Sequence, residues 1–257
     1  MKKRAFALIT ALILVFVSLS ACSKPYEVLL DAFSNDSDVI GAVNNISKNS
    51  ISSTVTLTVE NKNGYYTTIK TGGSGVIYAE DSTAYYVLTN AHVIKPENNY
   101  NLTLSSISIK DHKAKTRSAK LLKLDEKYDL AVITISKINS SELTVSRLAD
   151  ANPSIGEIAV AASSPGGQLN SVTVGKIKEI DSPSGGNGDN IDLSFDVICH
   201  SAWLNEGSSG SALFSSDGRI IGINYAITTS ENGDHLESYA IPVEKVREFL
   251  ETYDLPR

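Results

Sequence analysis

The sequence predicts an all-β fold in two successive strand-rich halves, with one short helix before them and one after. Three observations carry this. Short runs rich in Val, Ile, Thr and Tyr recur at close spacing, separated by polar or glycine-containing turns. No motif repeats at a period of about 20–50 residues, which argues against solenoids and propellers. Helical periodicity in the folded part is confined to a stretch near each end of it, and a length of 257 residues suits one large β domain.

The elements follow in order. The first helix is expected from Asp38, with Asp36-Ser37-Asp38 offering the cap and Val39, Ile40, Val43 and Ile46 recurring at helical spacing. From Ser52 the period becomes two. Val55, Leu57 and Val59 alternate with threonines, a turn follows at Asn61-Lys62-Asn63-Gly64, and Tyr65 to Lys70 is strand-like again. Behind the glycine-rich Thr71 to Gly75, the runs Val76 to Tyr78, Ala84 to Thr89, Leu102 to Ile109, Ala119 to Leu124 and Leu130 to Ile135 complete a first half near residues 50–138. The second half, near 155–241, holds Ile158 to Ala162, Ser171 to Ile180, Leu193 to Val197, Ala212 to Phe214, Arg219 to Ile223 and Tyr239 to Ile241. Ser182 to Asn190 is too rich in Gly and Pro for anything but a loop. Pro242 suits the first turn of a closing helix near 243–253, whose Val243, Val246, Phe249, Leu250 and Tyr253 form an apolar stripe.

The N-terminus is a separate matter. Met1 to Arg4 is basic, Ala5 to Leu19 is nearly unbroken apolar sequence, and Leu19-Ser20-Ala21-Cys22 closes the run with small residues. This reads as an export signal over residues 1–21, since a membrane span wants about 20 apolar residues and this run is shorter. Leu-Ser-Ala-Cys also resembles the bacterial lipobox. That resemblance implies cleavage before Cys22, a thioether-linked diacylglycerol on its sulfur, a tether over 22–37 and a folded domain over 38–257. Two acyl chains give a stable anchor where one is marginal. The mature chain is then exported and lipid-anchored on the extracytoplasmic face of a bacterial membrane.

Without residues 1–21 the chain carries 20 basic and 29 acidic residues, a net charge of −9. That argues against nucleic acid and against adhesion to anionic lipid by charge, so the membrane contact is the lipid on Cys22. With Cys22 modified, Cys199 has no partner for a disulfide. No Cys/His cluster suggests a metal, and no cofactor is called for.

The chemistry centres on Asn205-Glu206-Gly207-Ser208-Ser209-Gly210-Ser211-Ala212-Leu213-Phe214, where a serine sits among small residues directly before an apolar strand. Acyl transfer needs such a turn to expose a hydroxyl and leave backbone N–H groups facing a developing oxyanion. Of the four histidines, His112 and His235 lie in polar loops and read as solvated, and His200 precedes the serine by nine residues as a loop or half-buried histidine that could touch substrate. His92 differs. It ends the strand-like run Leu88-Thr89-Asn90-Ala91-His92, where a core edge holds its ring. Asp129, in Lys127-Tyr128-Asp129-Leu130-Ala131, meets a buried strand and wants a hydrogen-bonding partner such as an imidazole N–H. Asp125 reads instead as ordinary turn chemistry. The chain order is His, Asp, Ser.

Together these pieces resemble the trypsin-like double β-barrel serine peptidases, most closely the HtrA/Deg branch. The matching motifs are Gly73-Ser74-Gly75-Val76-Ile77, Leu88 to Ile94, Tyr128 to Val132, Asn205 to Leu213, Asp217 to Asn224 and Tyr239 to Val246, spanning roughly residues 50–250. The resemblance implies two six-stranded antiparallel β-barrels with the site in the cleft between them. It further implies Ser209 as nucleophile, His92 as general base and acid, Asp129 as orienter, and the N–H groups of Gly207 and Ser209 as the oxyanion hole. Asn224, Tyr225 and Ala226 would offer a strand edge to a peptide.

Three departures qualify the likeness. Glu206 replaces a proline beside the oxyanion hole, and Ser208 stands where digestive relatives carry an aspartate that pairs with a new N-terminal amine, so activation by N-terminal insertion is not expected. Trp203 occupies the position that sets charge at the base of the primary pocket, which points away from cleavage after Lys or Arg and toward a small or medium apolar residue. Whether its ring fills the pocket or swings clear stays open. After the closing helix no PDZ domain is expected. The expected function is serine endopeptidase action on exported or unfolded proteins at the cell envelope, its partner being a protein or peptide substrate, with oligomeric state open. Two alternatives stand beside it: a catalytically silent lipoprotein using the scaffold to bind, and a glutamyl-specific relative prompted by Ser209-Gly210-Ser211.

Overall fold

The alternation of apolar and polar residues places successive side chains on opposite faces of strands that meet two different cores. The computed structural model describes residues 28–30, 36–63, 67–95, 103–137, 143–181, 193–233 and 235–257. The export signal, Cys22, the turn residue Gly64 and the Ser182–Asn190 insert lie outside the described residues.

A short strand β1 (Val28–Leu30) precedes helix α1 (Ser37–Asn45). Asp36 caps α1, its carboxylate accepting from the N–H groups of Asp38 and Val39 at 2.9 and 3.4 Å. Val39, Ala42 and Val43 are buried, but Ile40, expected on the same stripe, is exposed. One residue from Val39 along a helix, it points about 100° away from the core face.

The first barrel comprises β2 (Thr54–Asn63), β3 (Thr67–Glu80), β4 (Ala84–Thr89), β5 (Thr103–Lys110), β6 (Thr116–Asp125) and β7 (Leu130–Ser136), closed in the order β2-β3-β4-β7-β6-β5. Between β4 and β5 lies the single turn α2 (Ala91–Ile94). The glycine-rich stretch Thr71 to Gly75 lies within β3, which runs straight through it. Its glycines serve close approach: a Cβ on Gly73 would lie 2.7 Å from Val93 Cγ1.

The second barrel comprises β8 (Ile158–Ser163), β9 (Ser171–Asp181), β10 (Val197–His200), β11 (Ala212–Ser215), β12 (Ile220–Thr229) and β13 (His235–Pro242). The order β9-β10-β13-β12-β11-β8 is closed by β8 against β9, and β1 adds in parallel at Val172 to Val174. The strand expected over Leu193 to Val197 begins only at Val197, because its hydrogen-bonded register on β9 and β13 covers Val197 to His200. Helix α3 (Val243–Thr252) ends the fold.

Three apolar clusters result. Val55, Leu57, Ile77, Val87 and Ile133 fill the first barrel, while Ala161, Ile198, Leu213 and Ala240 fill the second. The alternate residues Val76, Leu88, Leu130 and Val132 face outward and join Val160, Phe214, Ile223 and Phe249 in a third cluster. That layer binds the barrels to each other and to both helices. Tyr128 belongs to it, with its hydroxyl on Glu248 of α3 at 2.7 Å, so the residue next to Asp129 is fixed by the C-terminal helix.

Candidate active site

Strand register brings His92 to Asp129. Antiparallel pairing of β4 with β7 sets Thr89 opposite Ala131, so the chain leaving β4 passes the residue entering β7. The crossing is tied by the Asp129 carbonyl, which accepts from the Ala91 N–H at 3.2 Å and from Asn90 Nδ2 at 3.0 Å. Asp129 has φ +50°, a left-handed conformation that aspartate tolerates better than most side chains. That turn directs its carboxylate at His92. Oδ2 lies 2.8 Å and Oδ1 3.1 Å from Nδ1, and Oδ1 also accepts the His92 backbone N–H at 3.0 Å. Asp129 is 2% exposed, and the His92 side chain 20%. A carboxylate only accepts, so the contact places the imidazole proton on Nδ1 and leaves Nε2 as the basic nitrogen.

The serine loop meets the first barrel through backbone contacts. Ser209 C=O accepts from the Ser74 N–H of β3 at 2.8 Å. A Cβ on Gly210, whose φ is +85°, would lie 2.2 Å from the Ser74 carbonyl oxygen and 3.2 Å from Asn90 N, so only glycine lets the loop approach the β4–α2 junction this closely. Ser209 Oγ donates to the Tyr225 carbonyl at 3.4 Å. His92 in α2, Asp129 before β7 and Ser209 before β11 thus lie on adjoining segments at the junction of the barrels.

The peptides of this loop are clamped one after another. Glu206 C=O accepts from Gly166 N–H at 2.9 Å, Gly207 C=O from Ser74 Oγ at 2.8 Å, and Ser208 C=O from Ser211 N–H at 3.0 Å. The N–H groups of Asn205, Glu206, Ser208, Gly210 and Ser211 all donate within the chain. Among the described residues, the N–H groups of Gly207 and Ser209 are the two in this loop that do not. Because a trans peptide holds its C=O and N–H antiparallel, tying Glu206 C=O to Gly166 turns the Gly207 N–H the other way. Gly207 has φ +88°, and a Cβ there would come within 3.0 Å of Gly166 N.

Several expected positions need revision. Asn224 is fully buried, with its N–H on Ser211 C=O and its C=O taking the Gly210 N–H. It cannot pair with a peptide; β12 pairs with β13 alone only beyond it, so an open edge would begin near the bulged Tyr225 and at Ala226. His200 is neither a loop residue nor half-buried. It is fully buried at the end of β10, Nε2 3.0 Å from Asn224 Oδ1, while Asn224 Nδ2 donates to Ser211 Oγ at 2.9 Å. Burial pushes its pKa down to about 3. His112 and His235 are half-buried rather than solvated: Asn170 Nδ2 donates to the His112 carbonyl, and the His235 ring pairs with Ser238 Oγ at 2.8 Å. Trp203 is 39% exposed, its ring 6.0 Å from that of His235, so the indole is swung to the surface. Ser208 is buried, its hydroxyl on Ser163 Oγ, and Glu206 is exposed. Ser74, Ser164 and Gly166, to which the sequence alone assigned no role, supply clamps for the loop.

The chain is similar to known proteins over most of its length. The model of the trypsin-like peptidase domain matches residues 73–223, more than half of the chain. Serine protease HTRA1A of Danio rerio is 36% identical over 187 residues, 71% of this chain and 35% of its own length. The periplasmic pH-dependent serine endoprotease DegQ of Escherichia coli is 35% identical over 176 residues, 68% of this chain and 35% of its own. The chain therefore spans about a third of the length of these curated relatives. Among solved structures, an HtrA-type protease with a bound tripeptide aligns with TM-score 0.65 at 26% identity, covering 82% of this chain and 62% of that one. The active form of the Rv3671c protease from M. tuberculosis has TM-score 0.65 at 19% identity over 95% of this chain and 96% of that one, a likeness of fold.

Proposed function

The chain belongs to the trypsin-like peptidase domain family, of the HtrA/Deg type, and from that premise we propose that it is a serine endopeptidase with Ser209 as nucleophile, His92 as general base and acid, and Asp129 as orienter. The observation that carries the reading is the pairing of His92 Nδ1 with buried Asp129, beside a loop whose Gly207 and Ser209 N–H groups remain undonated. Ser209 Oγ would leave the Tyr225 carbonyl, give its proton to His92 Nε2 and attack the scissile carbonyl. The two N–H groups would receive the oxyanion, and the imidazolium, stabilised by Asp129, would then protonate the leaving amine. Water would repeat the sequence to release the acyl group.

The relatives named as periplasmic endoproteases support action on exported or unfolded proteins outside the cytoplasm. A peptide would lie along the β12 edge from Ala226, with a small or medium apolar residue before the cleaved bond, since Trp203 brings no charge. Cys22, in its lipobox-like setting, would carry the lipid that holds the domain at the membrane. A fluorophosphonate probe tests the chemistry. It should label the wild type at Ser209 and fail on Ser209→Ala and His92→Ala; equal labelling of His92→Ala would refute the triad. The anchor is tested by Cys22→Ala, which should release the protein from membranes washed in high salt.

A further inference from the structure

Ser74 lies in the middle of β3, fully buried and far in sequence from the serine loop, yet it makes four hydrogen bonds to three other segments. Its Oγ accepts the Ser164 N–H at 2.9 Å and donates to Gly207 C=O at 2.8 Å. Its backbone N–H donates to Ser209 C=O at 2.8 Å, and its carbonyl accepts from Thr89 Oγ1 at 2.8 Å. The hydroxyl direction is not free: a backbone N–H can only donate, so the Ser74 proton must go to the Gly207 carbonyl.

We propose that Ser74 is a positioning residue for catalysis, holding the Gly207 and Ser209 N–H groups in the geometry that receives the oxyanion. The inference rests on the serine-peptidase reading above. Gly207, with no Cβ and φ +88°, can rotate its flanking peptides at small cost, so its orientation has to be imposed from outside. The peptide before it is fixed by Gly166 N–H on Glu206 C=O, and the peptide after it by Ser74 Oγ. Gly166 itself belongs to the short turn Pro165–Gly167, whose leading residue, Ser164, is held by the same Ser74 Oγ. One hydroxyl of the first barrel therefore grips the donor glycine directly and again through the turn that supports it. Thr89, three residues before His92, closes the circuit to the general base.

Replacing Ser74 with alanine frees the Gly207 carbonyl and leaves the Ser164 N–H without its acceptor, while the backbone bonds to Ser209 and Thr89 stay. Loss of a single oxyanion donor costs about 100-fold or more in turnover, so loosening the donor should cost about 10- to 100-fold in kcat with KM changed by no more than about threefold. The decisive comparison is between two ligands of one peptide, a peptidyl boronate and the corresponding free acid. The boronate forms a tetrahedral adduct with Ser209 and places an oxygen in the hole; the acid only occupies the cleft. In Ser74→Ala the boronate should weaken in parallel with kcat and the acid should not. Ser74→Cys, which keeps a weaker donor in the same place, should fall between alanine and wild type in both kcat and boronate affinity. Equal weakening of boronate and acid in both variants would assign Ser74 a purely structural role and overturn the proposal, as would a Ser74→Ala enzyme with unchanged kcat. A wild-type protein that neither turns over peptides nor takes up a fluorophosphonate would instead overturn the peptidase premise, and this inference with it.

Discussion

Replacing Asp129 by asparagine should abolish most of the activity without unfolding the protein, and the geometry shows why. Asp129 Oδ1 accepts the backbone N–H of His92 at 3.0 Å, a group that can only donate. In Asp129→Asn the amide oxygen must therefore stay at Oδ1, which puts the NH2 group at the Oδ2 position, 2.8 Å from His92 Nδ1. Nδ1 would then have to accept, the imidazole proton would move to Nε2, and the nitrogen meant to take the Ser209 proton would already carry one. In the serine-protease template this tautomer error lowers kcat about 10⁴-fold, which at about 1.36 kcal/mol per decade is about 5.4 kcal/mol of transition-state stabilisation. The fold should survive, because asparagine accepts a left-handed φ as readily as aspartate and no charge is left buried without a partner. Stopped-flow or steady-state kinetics on a peptide ester measures kcat, thermal unfolding reports the fold, and ¹⁵N NMR of the His92 ring reads the tautomer directly. A folded Asp129→Asn enzyme within tenfold of wild-type kcat, or one whose His92 still carries its proton on Nδ1, would refute the assignment.

Gly207→Ala should lose about 100-fold or more in kcat, since the added Cβ meets Gly166 N at 3.0 Å and an alanine at φ +88° costs about 1–2 kcal/mol; a variant with both Tm and kcat unchanged would exclude the strained donor. Acid should destabilise the fold before carboxylates protonate. His200 titrates near 6.5 when unfolded and is pushed to about 3 by burial when folded, so its contribution is complete above the unfolded value and is lost as pH falls between the two, by about 1.4 kcal/mol per unit. Thermal melts from about pH 7.5 to 5 should show this slope, and His200→Gln should flatten it; parallel profiles would show that another group is responsible.

Much of the fold was legible because strand periodicity is a local property. Val55, Leu57 and Val59 in one half and Ile221 and Ile223 in the other announce buried faces without knowledge of their neighbours. The candidate base and orienter were legible for the same reason, since each sits where a polar turn meets an apolar strand. Helix capping at Asp36 was likewise local and appears as expected.

The all-β class, the place of most strands, the two helices, and the residue types and chain order of the candidate site are local properties of the chain. What depends on distant segments meeting is set by the folded chain alone. Burial of His200 follows from β10 being covered on both faces, and the exposed indole of Trp203 stands against His235 at the start of β13. The closure of Asn224 to a peptide follows from Gly210 and Ser211 already holding its backbone. Ser74 is the clearest case. Its neighbours in sequence say only that it lies in a strand, while its hydrogen-bond partners lie as much as 135 residues away. A hydrogen bond is short and directional, so which carbonyl Ser74 serves is fixed by the closure of one barrel on the other, and no local pattern encodes that.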